Sequence, residues 1–384
     1  MKRNMLIFFL IVFTIYFLAN FYIFIKGYRA IPQEGHSRLV YSITFILLAS
    51  TFIAGKFLER SSSGIFSDVL NIIGGFWMAF MLYGFLLLLL SDIARPFLKL
   101  AGVITPENLM TFRRWTFIAT VSISVTLITA GFINALIPVV RTYNLHIDKS
   151  AGEIKTFRIA AVSDIHLGSI IRKRSIKKLS GILKEADPDV VLLLGDIVDG
   201  EMGPVLRDDL LSYFTVPKCR DGLYAITGNH EYIGGASVTI PYIESHGIRL
   251  LKDEVVTIDG GIQLVGRLDR GMSSMNGNRR QPLDSLMKKT DPAKPVIVLD
   301  HQPLHLEEAE KAGADLQLSG HTHDGQMWPL NYITRMIYEL SAGYLKKGNT
   351  QYIVSSGYGL WGPRVRLGSR SEVLVINLTF KGSN

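Results

Sequence analysis

The chain has 384 residues, 48% apolar and only 19% charged; soluble domains run at ~25% charged, and disordered or nucleic-acid-type chains are far more polar. Its net charge of +8 is uneven: residues 1–149 carry 13 Lys+Arg and 6 Asp+Glu, or +7, and residues 150–384 only +1, which argues against a broad polyanion-binding face there and against nucleic acid as a partner. The single cysteine, Cys219, excludes a disulfide framework and a Cys-rich zinc site.

Four long uncharged stretches come first: Met5–Ile25, Leu39–Gly55, Val69–Ser91 and Trp115–Val140, with 21, 17, 23 and 26 residues. A helix needs about 20 apolar residues to cross ~30 Å of hydrocarbon, so the pattern predicts an all-α region of four spans. The first is too long in its apolar core for a cleaved signal peptide, and no small-residue cleavage site follows it. None of the four contains Asp, Glu, Lys, Arg or His, the groups that mark ion and proton pathways. This part reads as a multi-pass anchor in the cell membrane rather than a transporter. Gly74-Gly75, Gly84 and Gly131 are candidate points of close helix packing, with ordinary glycine use in membrane helices as the alternative. Lys2, Arg3, Lys56 and Arg60 favour an inside N-terminus. Lys26, Arg29, Arg38, Arg95, Lys99, Arg113 and Arg114 favour the opposite, so basic residues do not decide the side of the C-terminal part.

From about residue 150 the texture changes, giving an anchor over 1–149 and a second domain over 150–384. Short apolar runs end in polar residues. Phe157–Val162 leads into Ser163-Asp164-Ile165-His166, Val190–Leu194 into Gly195-Asp196, and Leu223–Ile226 into Thr227-Gly228-Asn229-His230-Glu231. Val296–Leu299 leads into Asp300-His301, and Asp315–Leu318 into Ser319-Gly320-His321-Thr322-His323. Such runs read as buried strands. Between the first two, Ile176, Leu179, Ile182, Leu183 and Ala186 recur at helical spacing until Asp187-Pro188-Asp189 ends the helix. A strand–helix–strand unit makes part of the sheet parallel. Val205, Leu206, Leu210, Leu211 and Phe214 suggest another helix, and Gly271–Arg280 reads as a loop.

One Asp-x-His, or one Gly-Asp after a strand, is ordinary turn chemistry. Five strands in series with a metal-competent side chain at the C-terminal end are not, and in open α/β sheets ligands bind at that edge. Carboxylate, imidazole and amide oxygen together suit borderline or hard divalent ions. The two oxygens of a carboxylate such as Asp196 can bridge two ions, and two ions about 3.5–4 Å apart would activate a shared hydroxide and clamp a phosphoryl oxygen. Gly195, Gly228 and Gly320 beside these residues are expected to let the backbone turn sharply off each strand.

The motifs Ser163–His166, Leu194–Asp196, Gly228–Glu231, Asp300–Pro303 and Gly320–Gln326 resemble, in order and spacing, those of the calcineurin-like metallophosphoesterases, over roughly Phe157–Leu378. The Gly-His-Thr-His-x-Gly-Gln form, with Ser355–Leu360 and Pro363–Leu367, is similar to the membrane-associated branch. That branch includes transmembrane metallophosphoesterase-domain proteins and a UDP-2,3-diacylglucosamine hydrolase type. Many of its members have Gly where Asp324 stands. The resemblance implies a C-terminal α/β domain built as a four-layer αββα sandwich. It also implies two divalent metal ions, Mn²⁺ as the working choice with Zn²⁺, Fe and Mg²⁺ as alternatives. Asp164, His166 and His323 would hold one ion, Asn229, His301 and His321 the other, and Asp196 would bridge them; His230 would face the phosphate as a catalytic group.

The function implied is a membrane-anchored phosphohydrolase on a lipid-linked phosphoester or pyrophosphate, such as a UDP-diacylglucosamine-type substrate. The alternatives are a phosphatase of lipid phosphates or polyprenyl pyrophosphates, and a non-catalytic metal-binding membrane scaffold. The lipid bilayer and a phosphorylated, lipid-linked substrate are the implied partners, and oligomeric state is open. Glu231 and Asp300 read as structural, Asp199 as a loop residue, and His246 and His305 as ordinary surface histidines. Arg364 and Arg366 read as solvated arginines on a strand, with a second phosphate site as the alternative.

Overall fold

The computed structural model describes residues 2–271 and 279–382. Residues 272–278, most of the expected Gly271–Arg280 loop, lie outside the described residues. Two compact units form: Met1–Ile133 with Gly362–Val365, and Asn134–Trp361 with Arg366–Asn384.

The first unit consists of α1 (Lys2–Ala30), α2 (Ser37–Ser61), α3 (Ile65–Leu100) and α4 (Leu109–Ala135). All four are long and apolar enough to cross a membrane. The fourth stops at Ala135, short of the expected Val140, because Pro138 lacks an N–H and disfavours helical backbone before it. At 1.5 Å per residue the 36 residues of α3 run to about 54 Å. Its C-terminal turns, with Asp92, Arg95 and Lys99, therefore extend past a ~30 Å hydrocarbon layer. Gly74 is a true packing position, since a Cβ there would lie 2.4 Å from Phe52 Cα. With no hydrophobic drive between helices in lipid, small residues and polar contacts hold them together. Here the buried Asn20 Oδ1 accepts the Trp77 indole N–H at 2.8 Å, and Phe45 meets Trp77 edge-on with centroids 4.9 Å apart.

The second unit has two six-stranded sheets. The first contains β1 (Val139–Ile147), β2 (Thr156–Val162), β3 (Val190–Leu193), β4 (Leu223–Ala225), β5 (Arg249–Leu250) and β12 (Glu372–Phe380), in the order β1-β12-β2-β3-β4-β5. The second contains β6 (Glu254–Thr257), β7 (Gln263–Gly266), β8 (Val296–Leu299), β9 (Leu316–Ser319), β10 (Gly343–Lys347) and β11 (Thr350–Val354), in the order β10-β11-β9-β8-β7-β6. β2, β3 and β4 are parallel, as are β7, β8 and β9, so the motif-bearing ends of each set share one edge.

Alternation along the strands builds the layers. Phe157, Ile159 and Ala161 of β2 face the other sheet, in one core with Leu264, Ile297 and Leu318. Ala160 and Val162 face outward onto Ile176, Leu179 and Leu183 of α5 (Lys173–Ala186). Across the second sheet, Val265, Val296 and Val298 meet Leu283, Leu286 and Ala309 of two short helices. The result is helix, sheet, sheet, helix.

Two elements differ from the sequence reading. Val139–Ile147, which the sequence leaves with the anchor, is the edge strand β1, parallel to β12 with Val139 opposite Glu372. Its face is mostly exposed, so it lacks the apolar run that marks the other strands. The helix expected near 205–214 is two short pieces, Met202–Arg207 and a 3₁₀ turn over Leu210–Tyr213. The break falls at Asp209, whose φ of 40° cannot continue a right-handed helix.

Candidate metal centre

Each motif leaves the end of its strand and turns inward. β2 delivers Asp164 and His166, β3 delivers Asp196, β4 runs into the short helix Asn229–Ile233, β8 delivers His301, and β9 leads to His321 and His323. Five of these seven candidate residues have left-handed backbone: Asp164 (φ 54°), His166 (51°), Asp196 (52°), His321 (73°) and His323 (50°). Non-glycine residues hold that conformation at a cost of about 1 kcal/mol or more each, so strain is concentrated at the strand ends. Of the neighbouring glycines only Gly195 turns with a positive φ, of 90°. Gly228 and Gly320 are required by close approach instead. A Cβ would come within 2.1 Å of Asp196 Oδ1 at Gly228, and within 1.6 Å of Ser163 Oγ at Gly320.

Among the described residues the candidate ligands gather in two groups with ligand atoms within 4.8 Å of one another, Asp164, His166 and His323, and Asp196, His301 and His321; a third group as close joins His166 to Asp199 and His230. In the first, His166 Nε2 and His323 Nε2 stand 3.0 Å apart, with Asp164 Oδ1 3.4 Å from His323 Nε2 and 3.8 Å from His166 Nε2. In the second, His301 Nε2 is 3.2 Å from Asp196 Oδ2, and His301 Nδ1 donates to the Leu194 carbonyl at 2.7 Å. Asp196 Oδ2 also lies 3.9 Å from His166 Nε2, so this carboxylate faces both groups. The Oδ1 of Asn229 is buried without a hydrogen-bond partner. Two imidazole nitrogens facing each other beside a carboxylate, with an orphaned amide oxygen nearby, fit divalent cations of the kind that take mixed N and O donors.

Electrostatics agree with that donor set. Burial raises the Asp196 carboxyl, but His301 and then His230 outweigh it and hold it well below the usual carboxylate range. Burial would likewise raise Asp164, and His323 and His301 bring it below its ordinary value. Burial lowers His301, but Asp196 outweighs it and lifts the imidazole well above its usual value. His321 falls to about 4 through burial and the neighbouring His301.

His230 sits on the short helix, and its backbone N–H donates to Asp196 Oδ1 at 2.9 Å. Its ring meets His166 edge-on, 4.6 Å between centroids, and burial lowers its pKa. The expectation that Asp199 is a plain loop residue fails. Asp199 Oδ1 is 3.4 Å from His166 Nδ1 and 3.6 Å from His230 Nδ1, linking the two rings. The one sequence cue is its place three residues after Asp196.

Glu231 is structural, as expected: its carboxylate accepts amide N–H groups from Asp196, Ile197, Val198 and Gly228 at 2.7–3.2 Å, tying β3 to β4. Asp300 accepts from Arg267 and Arg280 at 3.0 and 2.9 Å. His246 pairs with Asp209, and the exposed His305 lies 3.4 Å from Glu307. Asp324 turns to Ser341 Oγ at 3.0 Å and is left-handed at φ 45°, a conformation that Gly adopts freely.

Arg366 is not solvated. It is 0% exposed, and its Nη2 donates to the Gly357 and Gly359 carbonyls at 3.1 and 2.8 Å while lying 3.2 Å from His323 Nδ1. It braces a candidate ligand from behind. Burial brings its pKa down to about 10. Arg364, in the helical unit, stacks over Phe132 at 5.7 Å.

Residues 157–325 match a family model described as calcineurin-like phosphoesterase. The chain is 32% identical over 251 residues to an uncharacterized metallophosphoesterase of Helicobacter pylori, covering 65% of this chain and 66%, just under two thirds, of that protein. It is 31% identical over 251 residues to an uncharacterized metallophosphoesterase of Aquifex aeolicus, covering 63% of this chain and 95% of the other. A Campylobacter jejuni protein with the same description is 29% identical over 390 residues, 98% of this chain and 99% of the other, so the likeness extends through the four helices.

Proposed function

The chain belongs to the calcineurin-like metallophosphoesterases, a family of phosphoester hydrolases, and on that premise we propose that it is a membrane-held phosphohydrolase that uses two divalent ions, Mn²⁺ foremost, on a lipid-linked phosphoester or pyrophosphate. The observation that carries this reading is the convergence of the two donor groups on Asp196. Asp164, His166 and His323 would hold one ion; Asn229, His301 and His321 would hold the other, and Asp196 would serve both. Bound there, the ions supply the positive charge that draws phosphoryl oxygens and acidifies water.

This chain's own residues do the rest. Asp196 Oδ1 accepts the His230 backbone N–H and so sets where the short helix begins. Asp199 faces the Nδ1 of His230 and orients that ring. A ring held so is a general acid for the leaving oxygen or a donor to the phosphoryl group. Four helices of membrane-crossing length support a substrate in or at a bilayer, and a UDP-linked diacylated sugar is the leading member of that class.

The test uses the full chain in detergent with bis(p-nitrophenyl) phosphate. Hydrolysis is expected to disappear with EDTA and return with Mn²⁺; EDTA-resistant hydrolysis overturns the metal-dependent reading. For the lipid part, a UDP-linked diacylated sugar should exceed the unacylated nucleotide sugar in kcat/KM by at least about tenfold, because only the former has remote binding energy to draw on. Equal values would remove the lipid.

A pH dependence follows from His301. Metal binds the neutral imidazole, and Asp196 holds the proton on this ring above its ordinary pKa of 6.5. Metal uptake therefore expels a proton, and apparent affinity should rise as pH climbs above 6.5, until His301 is neutral without metal. Calorimetric titration with Mn²⁺ in buffers of different ionisation enthalpy reads the proton directly. A pH-independent affinity with no proton release would refute this account of His301.

A further inference from the structure

The helical unit has a second charged site, formed entirely by its own residues. At the end of the bundle where α1 and α3 finish and α4 begins, Lys26, Arg29, Asp92, Arg95 and Arg113 line one pocket together with Phe117. Its free volume is about 50 Å³, several times the ~10–15 Å³ that one water requires.

The charges in this pocket do not balance. Asp92 is already engaged: Lys26 Nζ donates to both its oxygens at 2.5 Å, and Tyr22 Oη donates to Oδ2 at 2.6 Å. Arg29, Arg95 and Arg113 have no carboxylate within ion-pair distance among the described residues. Arg95 Nε is buried and makes no hydrogen bond there. The half-buried Arg95 and Arg113 thus face one neutralised acid, with the exposed Arg29 at the rim. Such an arrangement favours entry of an anion, and guanidinium forks match phosphate oxygens in geometry. The uncharged stretch of α3 ends at Ser91, directly before Asp92, which sets the pocket at the level of a bilayer's polar layer. Phe117 adds an apolar wall against which an acyl chain can lie. Basic pockets between membrane helices at this depth recognise lipid headgroups.

We propose that this pocket binds a phosphate group, carried by an anionic membrane lipid whose tail lies along α4. It is independent of the hydrolytic reading, since none of its residues belongs to the metal centre.

The test is native mass spectrometry of the full chain released from detergent after incubation with dioleoyl phosphatidic acid, dioleoyl phosphatidylcholine or inorganic phosphate. One phosphatidic acid is expected to be retained per chain, in clear preference to phosphatidylcholine. Arg95→Gln and Arg113→Gln should each lower retention about fivefold, while Arg114→Gln, whose exposed side chain lies outside the pocket, should not. A monodisperse size-exclusion peak and an unchanged melting temperature in detergent report that each variant is folded, and Arg113→Gln carries the test if Arg95→Gln is not. Phosphatidic acid displaced by millimolar inorganic phosphate would support the phosphate chemistry and overturn the lipid as its source. Equal retention of the two lipids, or retention untouched in a folded Arg113→Gln chain, overturns the proposal.

Discussion

Asp196→Asn is expected to lower kcat by about 10³-fold or more and to reduce the bound metal from two ions per chain to one or none. Asparagine keeps the size of the side chain, and its Oδ1 can still accept the His230 N–H. What it loses is the charge, at a carboxylate whose Oδ2 faces both His301, at 3.2 Å, and His166, at 3.9 Å. Oδ2 is the oxygen that faces both donor groups, and with Oδ1 kept on the His230 N–H, asparagine would put an amide nitrogen, a poor donor to a divalent ion, in its place. Several kcal/mol of transition-state stabilisation reside in the paired ions, which is the source of the estimate. The variant should fold, because Glu231 still binds the amides of residues 196–198. Metal analysis by inductively coupled plasma mass spectrometry beside steady-state kinetics checks it. Two ions and undiminished turnover in the variant would sink the bridging role.

His230→Ala should differ in kind. The ring stands with His166 and Asp199 rather than with Asp164 or Asp196, so both ions should remain while kcat falls by about 10²–10⁴-fold, the usual worth of a positioned acid or base. The leaving group separates the two roles open to the ring. If His230 protonates the leaving oxygen, the loss should be small for p-nitrophenolate, which departs unaided, and large for an alkyl phosphoester. If it steadies charge on the phosphoryl group, both substrates should suffer alike. Asp199→Asn should reproduce a milder form and shift the acid limb of the pH–rate profile, since Asp199 faces this ring and that of His166. A His230→Ala protein that loses metal would instead make His230 a ligand or a support of one.

The strand-end motifs are legible because most follow a short apolar run, and β3, β8 and β9 are buried at every position. The parallel pairing of β2 with β3 followed from the helical spacing of Ile176, Leu179 and Leu183 between them. Other features were hidden for physical reasons. β1 exposes most of one face, and its partner β12 lies at the far end of the sequence, so no local pattern announces the pair. Asp199 looks like any loop aspartate until the fold brings two imidazoles to it. Arg366 reads as solvated because arginine is ordinarily a surface residue; the carbonyls of Gly357, Gly359 and Arg370 and the Ser369 hydroxyl make its burial tolerable. The basic pocket of the helical unit draws on three helices, and its members looked only like contributions to membrane orientation.

The position of β12 also bears on how the molecule is made. This strand lies between β1 and β2, so the first sheet is divided until Glu372–Phe380 arrives. A ribosome delivers β1 immediately after the fourth helix and β12 only after both sheets' other strands have emerged. Throughout that interval β1 has no neighbour and β2 lacks one of its two, leaving open edges that invite pairing with other chains. Such long-range closure is slow. The nascent second unit is meanwhile fastened to the helix bundle, which restricts its encounters with other chains to lateral diffusion. Tethering to a bilayer is thus expected to aid folding, and the same nascent chain without its helices should need chaperones to reach the same yield.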